Sequence, residues 1–478
     1  MLFNSFAYLI FLPTVVLFYF SLQPRYRNLF LLGASFFFYM YWRWEYIFLI
    51  LFENSINFYA GLRIGTSLND KVKKKWLIFA LVTNLGLLFF FKYFNFALTS
   101  LTPLAQVFNP RVQPYIVNII LPIGISFHTF TTLSYTMDVY RKKHQVENNF
   151  VKFSLYVTFF PLLLAGPIER ATNLLDQFST KKYFSSEQLI EGCKLIIWGL
   201  FKKVVIADRL AIYVNQIYGN PHSYSGSTLL LATLFFAFQI YCDFSGYTDI
   251  ATGSARILGF RLMQNFNLPY LADSIGNFWK RWHISLSSWF ADYLYKPLGG
   301  NRVSKSRWML NIFIVFAVSG LWHGANWTFI IWGALHGFYY LLEYMGSLLL
   351  KYVGLEQQFT RSKVMHKLRI AAVFFLVLIA WVFFRSVNVQ DAFYITHHMF
   401  TGLNRMPYLG SSAFDTVLNF TLILLLYTIQ ILQYKGLFSI YYTPSQTSPY
   451  LRYLGYAILL LLIGLLGVNS REFIYFQF

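Results

Sequence analysis

The feature that most restricts this chain is a series of long apolar runs almost free of charge. Residues 1–23 carry no charged side chain, and further runs follow at about 28–42, 46–62, 76–91, 112–137, 153–168, 210–242, 308–342, 370–384, 416–434 and 453–470. A helix needs roughly 20 apolar residues to cross a bilayer, so these runs are candidate spans. Several are short, and 210–242 and 308–342 are too long for one crossing. Composition agrees: 57% of residues are hydrophobic and 12% charged, against about 25% charged in an average soluble domain. A soluble globular fold is not expected, and a disordered chain is excluded. The first run has no basic leader and no small-residue cleavage site, so it is expected to be a retained span and not a signal peptide.

Lys and Arg outnumber Asp and Glu by 39 to 19. The cations fall in clusters between the runs and not along one face: Arg25 and Arg27; Lys71, Lys73, Lys74 and Lys75; Arg141, Lys142 and Lys143; Arg361, Lys363, Lys367 and Arg369. With Met1 outside, the first, third and fifth spans deliver the first three clusters to one side, as the positive-inside bias requires. Nucleic acid is therefore not the expected partner; the lipid membrane is. The polar stretches at 169–187 and 243–307 interrupt this alternation. Irregular backbone is tolerated at membrane depth only where protein buries it or a wet cavity receives it, so re-entrant and interfacial helices around a polar central funnel are expected. The pairs Gly61/Gly65 and Gly333/Gly337 have small-xxx-small spacing, best explained by helix packing. No P-loop, GxGxxG, GxSxG or HExxH is present, and Cys193 and Cys242 make no metal or redox spacing.

Two segments carry candidate chemistry. Residues 278–290 read FWKRWHISLSSWF; as one helix they form an aromatic stripe on which His283 is the one ionisable group. A membrane-interface helix whose histidine bonds a backbone carbonyl would show the same pattern. Residues 319–326 read SGLWHGAN inside an uncharged run. Gly320 and Gly324 make a break cheapest there, which puts His323 near a helix end at membrane depth. Asn326 and Trp327 would share its face if the segment is helical, and a structural histidine satisfied by Asn326 is the alternative reading. His336 would face nearly the opposite way. Ionisable groups within membrane segments are functional candidates because their burial is costly. Asp243, Asp249 and Asp273 show no ligand spacing, so no metal is expected. A neutral imidazole can instead take a proton from a hydroxyl as it attacks an activated acyl carbon.

These motifs, with LSYTMDVYR at 133–141, AGPIER at 165–170, DFSGYTDIATG at 243–253, NFNLPY at 265–270, SIGNFWKRWHISLSSWFADYLYKPLGG at 274–300, SGLWHGANWTFIIWGALHG at 319–337 and FIYFQF at 473–478, resemble the membrane-bound O-acyltransferase (MBOAT) family, in particular its bacterial alginate-acetylating members. The similarity covers the chain in order from about residue 120; the N-terminal third matches in hydropathy alone. The resemblance implies an all-α polytopic membrane fold of about 11 membrane helices plus re-entrant helices around a central funnel. It implies a single domain over 1–478, with N-terminal spans at 1–115, a motif-bearing core at 116–345 and C-terminal spans at 346–478.

It further implies that His323 is the catalytic histidine and His283 the second one at the centre. The substrate-binding candidates are Trp322, Asn326, Trp279, Lys280, Arg281 and Asp243, and Arg302 and Lys305 join Lys280 and Arg281 as cations that would meet donor phosphates. No resident cofactor is implied. Acetyl-CoA or another cytoplasmic acyl thioester would be the donor, and extracytoplasmic polysaccharide-acetylating proteins would be the partners, all at the bacterial cytoplasmic (inner) membrane. The rival readings are D-alanyl transfer to teichoic acid and a non-catalytic proton-coupled transporter.

The charge pattern generates a topology that can be checked directly. Single cysteines at Ser67 and Gln145, in a background lacking Cys193 and Cys242, should be shielded from a membrane-impermeant thiol reagent in intact cells and react after lysis. Labelling of both from outside would reverse the orientation.

Overall fold

Proline and glycine decide where the apolar runs stop being helical. The computed structural model describes residues 1–164, 166–355, 357, 362–410, 412–437 and 449–468. Ala165, Arg361 and the motif at 473–478 therefore lie outside the described residues. All regular structure among the described residues is helical. Among the described residues, five helices are long and apolar enough to cross a membrane by length and composition: Trp44–Thr66, Asp70–Phe108, Gly226–Ile257, Lys363–Arg385 and Ala413–Tyr434. Others expose large apolar side chains, such as Phe6 and Leu17 of the Phe6–Ser21 helix, as contact with hydrocarbon would require.

Four runs depart from a simple span. Run 112–137, which contains Pro114 and Pro122, is non-helical until Gly124, whose left-handed backbone (φ +77°) opens the Ile125–Tyr140 helix. Run 153–168 stays helical only to Thr158 and then turns through Pro161 and Pro167. Run 210–242 divides at Pro221 into Asp208–Gly219 and Gly226–Ile257. Run 308–342 divides into Lys305–His323 and Trp327–Tyr352, a break placed at Gly324 and not at Gly320.

Contacts group the chain into two units. The first comprises Met1–Ile196 and Ile250–Met263. Its centre is the mutual packing of Ile47–Thr66, Asp70–Leu88 and Ile125–Tyr140. Apolar burial does little to hold helices together in lipid, so polar bonds and close packing must. Asn57 and Asn84 exchange amide bonds at 2.9 and 3.2 Å, and the Thr136 hydroxyl donates to Asn57 Oδ1 at 3.0 Å. Gly61 lies against the Tyr135 ring and Gly65 against Val146, so this glycine pair is a packing device.

The second unit comprises Ile197–Asp249 and Gln264–Phe478. The apolar window of Gly226–Ile257 is 89% buried, against 17% for Asp70–Phe108, which makes the former an inner helix. It carries Asp243 and Asp249, and buried charge in a membrane protein must be paired. The π-helical stretch Phe201–Ala207 supplies the partners. Lys202 Nζ lies 2.7 Å from Asp249 and donates to the Ser245 hydroxyl at 2.9 Å, while Lys203 Nζ lies 2.5 Å from Asp243 and 2.8 Å from Asp208. The hairpin of Lys305–His323 and Trp327–Tyr352 is the other main feature of this unit. Its helices cross at glycines: a Cβ on Gly320 would lie 2.2 Å from the Phe329 carbonyl oxygen, and one on Gly333 would lie 2.2 Å from that of Phe316.

That crossing sets the direction from which His323 emerges. Gly320→Ala should destabilise the protein by about 1–3 kcal/mol through overpacking, read as a lower unfolding midpoint in detergent. Gly86→Ala is the control, since nothing lies within 4 Å of a Cβ there. It should leave the midpoint unchanged or raise it, and equal effects of the two changes would contradict the close crossing.

Candidate active site

The two candidate histidines lie in the second unit, each at the end of a helix. His323 is the last residue of Lys305–His323. The chain leaves the helix through Gly324, where a Cβ would meet the Phe329 ring at 2.1 Å, so no larger residue fits that exit. His283 departs from the single helix expected over 278–290. The chain forms a short helix at Ile275–Trp279, breaks, and starts a second helix at Ile284–Phe290, with His283 between them at φ +45°, ψ +53°. A left-handed histidine is costly and persists only where its surroundings hold it.

Asn265 holds it. The Asn265 carbonyl accepts the Ile284 N–H at 2.9 Å, and its Oδ1 accepts the Ser285 N–H at 3.2 Å and the Ser285 hydroxyl at 2.9 Å. The first two amides of the Ile284–Phe290 helix are thus capped from a distant part of the chain, while His283, in the N-cap position, makes no side-chain cap. The same Oδ1 lies 3.1 Å from His283 Nδ1. A backbone N–H can only donate, so the atom facing Ser285 is the amide oxygen. His283 Nδ1 therefore carries a proton and Nε2 holds the lone pair.

Upstream, the segment is pinned by the Ile275 N–H donating to Glu343 at 2.6 Å and by Arg369 donating to Asp273 at 3.1 Å. Burial pushes the Asp273 carboxyl up, but the Asn277 amide together with Arg369 and His366 outweighs it and leaves the group below its ordinary range.

The imidazoles of His283 and His323 are 0% and 3% exposed, with ring centroids 6.3 Å apart. That is too far for a direct mutual hydrogen bond and close enough for both to engage one reacting group. Aromatic rings pack against both. His323 meets Trp332 edge-on at 4.9 Å, Trp322 at 5.0 Å and Phe384 at 5.4 Å. His283 meets Phe244 at 4.7 Å and Trp322 at 6.0 Å. Such a wall excludes water and strengthens electrostatic interactions inside it. Among the described residues no group of three or more His, Cys, Asp or Glu side chains gathers as a metal site.

The other singled-out residues are distributed unevenly. Trp322 touches both histidine rings. Trp279 is buried, but its indole N–H donates to His336 Nδ1 at 3.4 Å. Asn326 does not share a helix face with His323, because the helix has ended. Its Oδ1 caps the next helix at the Thr328 N–H (3.1 Å), and its Nδ2 donates to the Val387 carbonyl at 2.9 Å. Trp327 is 53% exposed, so neither residue meets the expectation of a common face.

Asp243 is ion-paired with Lys203. Lys280, Arg302 and Lys305 are exposed, and Arg281 donates to Asn277 Oδ1 at 3.0 Å. Trp332 is in ring contact with both His323, at 4.9 Å, and His336, at 5.0 Å. Sequence reasoning missed Asn265, Lys202 and Lys203. The lysines had a visible signal, two adjacent cations in the apolar stretch before Asp208; Asn265 was one polar residue among several.

Comparison with known proteins places these residues in context. The family described as MBOAT, membrane-bound O-acyltransferase, matches residues 36–387, a span that includes both histidines. The chain is 40% identical over 457 residues to the probable alginate O-acetylase AlgI of Pseudomonas aeruginosa, covering 94% of this chain and 84% of that protein. It is 36% identical over 436 residues to a peptidoglycan O-acetyltransferase of Helicobacter pylori, covering 84% and 80%. It is 28% identical over 258 residues to a teichoic acid D-alanyltransferase of Bacillus subtilis, covering 50% and 62%.

The Asn265 geometry has a spectroscopic consequence. Nitrogen NMR of protein with ¹⁵N-labelled histidine should show His283 protonated at Nδ1 alone. Asn265→Ala should mix the tautomers and lower stability by about 1–3 kcal/mol, because buried N–H groups lose their acceptor. An unchanged His283 signal in that variant would remove Asn265 from its role.

Proposed function

Because this chain belongs to the membrane-bound O-acyltransferase family and is an acyltransferase of a membrane, we propose that it takes an acetyl group from a cytoplasmic thioester, acetyl-CoA, and passes it across the membrane for O-acetylation of alginate or a similar extracellular polysaccharide. The reading includes a multi-pass arrangement of about 11 spans in the bacterial cytoplasmic membrane, with extracytoplasmic proteins that deliver the acetyl group to the polymer. The relatives named as alginate O-acetylases and peptidoglycan O-acetyltransferase support an acetyl group and a glycan acceptor.

The observation that carries the mechanism is the pair of buried imidazoles 6.3 Å apart behind aromatic walls. His323 acts as general base. It takes the proton of the acceptor hydroxyl as that oxygen bonds to the thioester carbonyl carbon. The tetrahedral adduct then expels the thiolate, breaking the C–S bond, and the thiolate receives the proton from the imidazolium. Two roles were open to His283, positioning the acyl carbonyl or assisting proton transfer. Its Asn265 bond favours the second, since a neutral ring with Nδ1–H has a lone pair and no donor at Nε2.

Trp322, against both rings, shapes the acyl position. Lys280, Arg281, Arg302 and Lys305 are the cations proposed for the donor's phosphates. Asn326 and Trp279 have their polar groups engaged by the fold and help to hold the segments beside the histidines, while Asp243 is taken up by its ion pair with Lys203.

Purified protein in lipid nanodiscs with radiolabelled acetyl-CoA and an acceptor oligosaccharide tests this. His323→Ala should lower transfer about 10²–10⁴-fold with folded protein retained. His283→Ala should also lower it, and the double variant should be little worse than the more damaging single one, since groups acting as a unit are not additive. His397→Ala, an exposed control, should leave transfer unchanged. A folded His323→Ala protein with near-normal transfer would end this mechanism. Label moved only from an acyl carrier protein would favour the D-alanyl-type donor, and label neither transferred nor hydrolysed would favour a transporter.

A further inference from the structure

Two cations of the first unit, Lys182 and Arg261, are held side by side with no acid between them. Lys182 lies in the stretch before the Ser186–Leu200 helix, and Arg261 follows the end of Gly226–Ile257. Other side chains fix both backbones. Gln177 Oε1 accepts the Arg261 N–H at 2.9 Å and its Nε2 donates to the Arg261 carbonyl at 2.8 Å, while Arg27 Nη1 donates to the Lys182 carbonyl at 2.6 Å. The Lys182 side chain runs past Gly259, whose backbone is left-handed (φ +86°); a Cβ there would lie 3.5 Å from Lys182 Cβ and Cδ. Its Nζ stands 5.1 Å from the centre of the Phe260 ring, next in sequence to Arg261. Partial burial, and after it the Arg261 guanidinium, hold the Lys182 ammonium below its ordinary range.

Like charges placed together repel unless an anion joins them. The neighbouring carboxylates do not. Asp176 faces His144 at 3.3 Å and Glu191 faces Arg256 at 2.7 Å. Glu187 is exposed, and among the described residues it makes no ion pair with Lys182 or Arg261. Arg27 adds a third positive charge: its donors go to the Phe20, Leu22 and Lys182 carbonyls, none of which neutralises it.

The apolar surroundings define the anion further. Tyr183 and Phe184 are 74% and 56% exposed. Phe184 meets Phe20 edge-on at 5.6 Å, near the end of the Phe6–Ser21 helix, and Leu17, one turn back on the same face, is exposed. The cations thus border an apolar surface. A free phosphate would match the charge and leave the rings in water, whereas a molecule with an anionic head and apolar chains matches both. We propose that Lys182 and Arg261 form a binding site for the phosphate of an anionic phospholipid whose acyl chains lie along Phe184 and Leu17. The bound lipid neutralises the pair and holds the stretch before Ser186–Leu200 at the bilayer surface. This site is independent of the acyl-transfer reading.

Native mass spectrometry of the full chain released from detergent tests the site, with phosphatidylglycerol as the probe and phosphatidylcholine of the same chains as the zwitterionic comparison. Wild-type protein should retain phosphatidylglycerol in preference, and inorganic phosphate, the chain-free headgroup and acetyl-CoA should not displace it. Lys182→Gln with Arg261→Gln should weaken retention about 10- to 30-fold. Lys74→Gln with Lys75→Gln, which removes the same charge from exposed positions elsewhere in this unit, should leave it unchanged. The unfolding midpoint in detergent records that each variant is folded, and the wild-type comparison of the two lipids needs no variant. Equal retention of the two lipids, undiminished retention in folded Lys182→Gln/Arg261→Gln protein, or an equal loss in the Lys74/Lys75 variant would overturn the proposal. Displacement by the chain-free headgroup or by acetyl-CoA would overturn it too, by assigning the cations to a soluble anion.

Discussion

A chain surrounded by hydrocarbon has no water to accept a hydrogen bond its backbone fails to make, and this condition governs each departure from helix described above. Where the chain unwinds, a polar side chain takes over the freed groups. Asn95 donates to the Val117 carbonyl and accepts its N–H, at 2.8 and 3.0 Å, inside the non-helical stretch before Gly124. Glu169 accepts the Met263 N–H at 2.6 Å. Asn326 caps the helix after the break at Gly324, and Asn265 caps the helix after the break at His283. In a soluble protein water could fill several of these roles; here each is assigned to a residue.

The same condition explains why polar side chains are buried in pairs. The first unit joins its central helices with amides and the Glu53–His128 pair, and the second joins the Phe201–Ala207 stretch to its inner helix with two lysines and three aspartates. Removing one partner of a buried pair costs far more than the pair itself contributes. Such clusters therefore specify which helices meet more than they add stability.

Much of the organisation was legible from hydropathy because the relevant signals are local. An uncharged run longer than one span, with glycine inside it, has to break, and Gly324 is where it does. Histidines within such runs stand out because so few other ionisable groups do. The His283 break was not legible. Residues 278–290 satisfy a helical stripe perfectly well, and what interrupts them is an oxygen from Asn265, 18 residues away. Runs 112–137 and 153–168 misled in the opposite direction, since hydropathy does not distinguish apolar helix from apolar extended chain. The prolines were the visible warning.

The π-helical stretch at Phe201–Ala207 bears on how this protein tolerates changes of length. A π-turn is an α-helix carrying one extra residue, and that extra residue is what lets Lys203 meet Asp208 five positions on and lets the Val204 carbonyl take the Val468 N–H at 2.9 Å. Deleting one residue there would leave a continuous and better-bonded α-helix whose later turns keep nearly their present register, because the wide turn already absorbs the extra residue. Lys203 and Asp208 would then face each other as i,i+4 neighbours, and the carbonyl that now takes the Val468 N–H would return to the helix ladder. The cost of a one-residue change in length thus falls on the wide turn and its outside partner, and not on the whole of Asp208–Gly219.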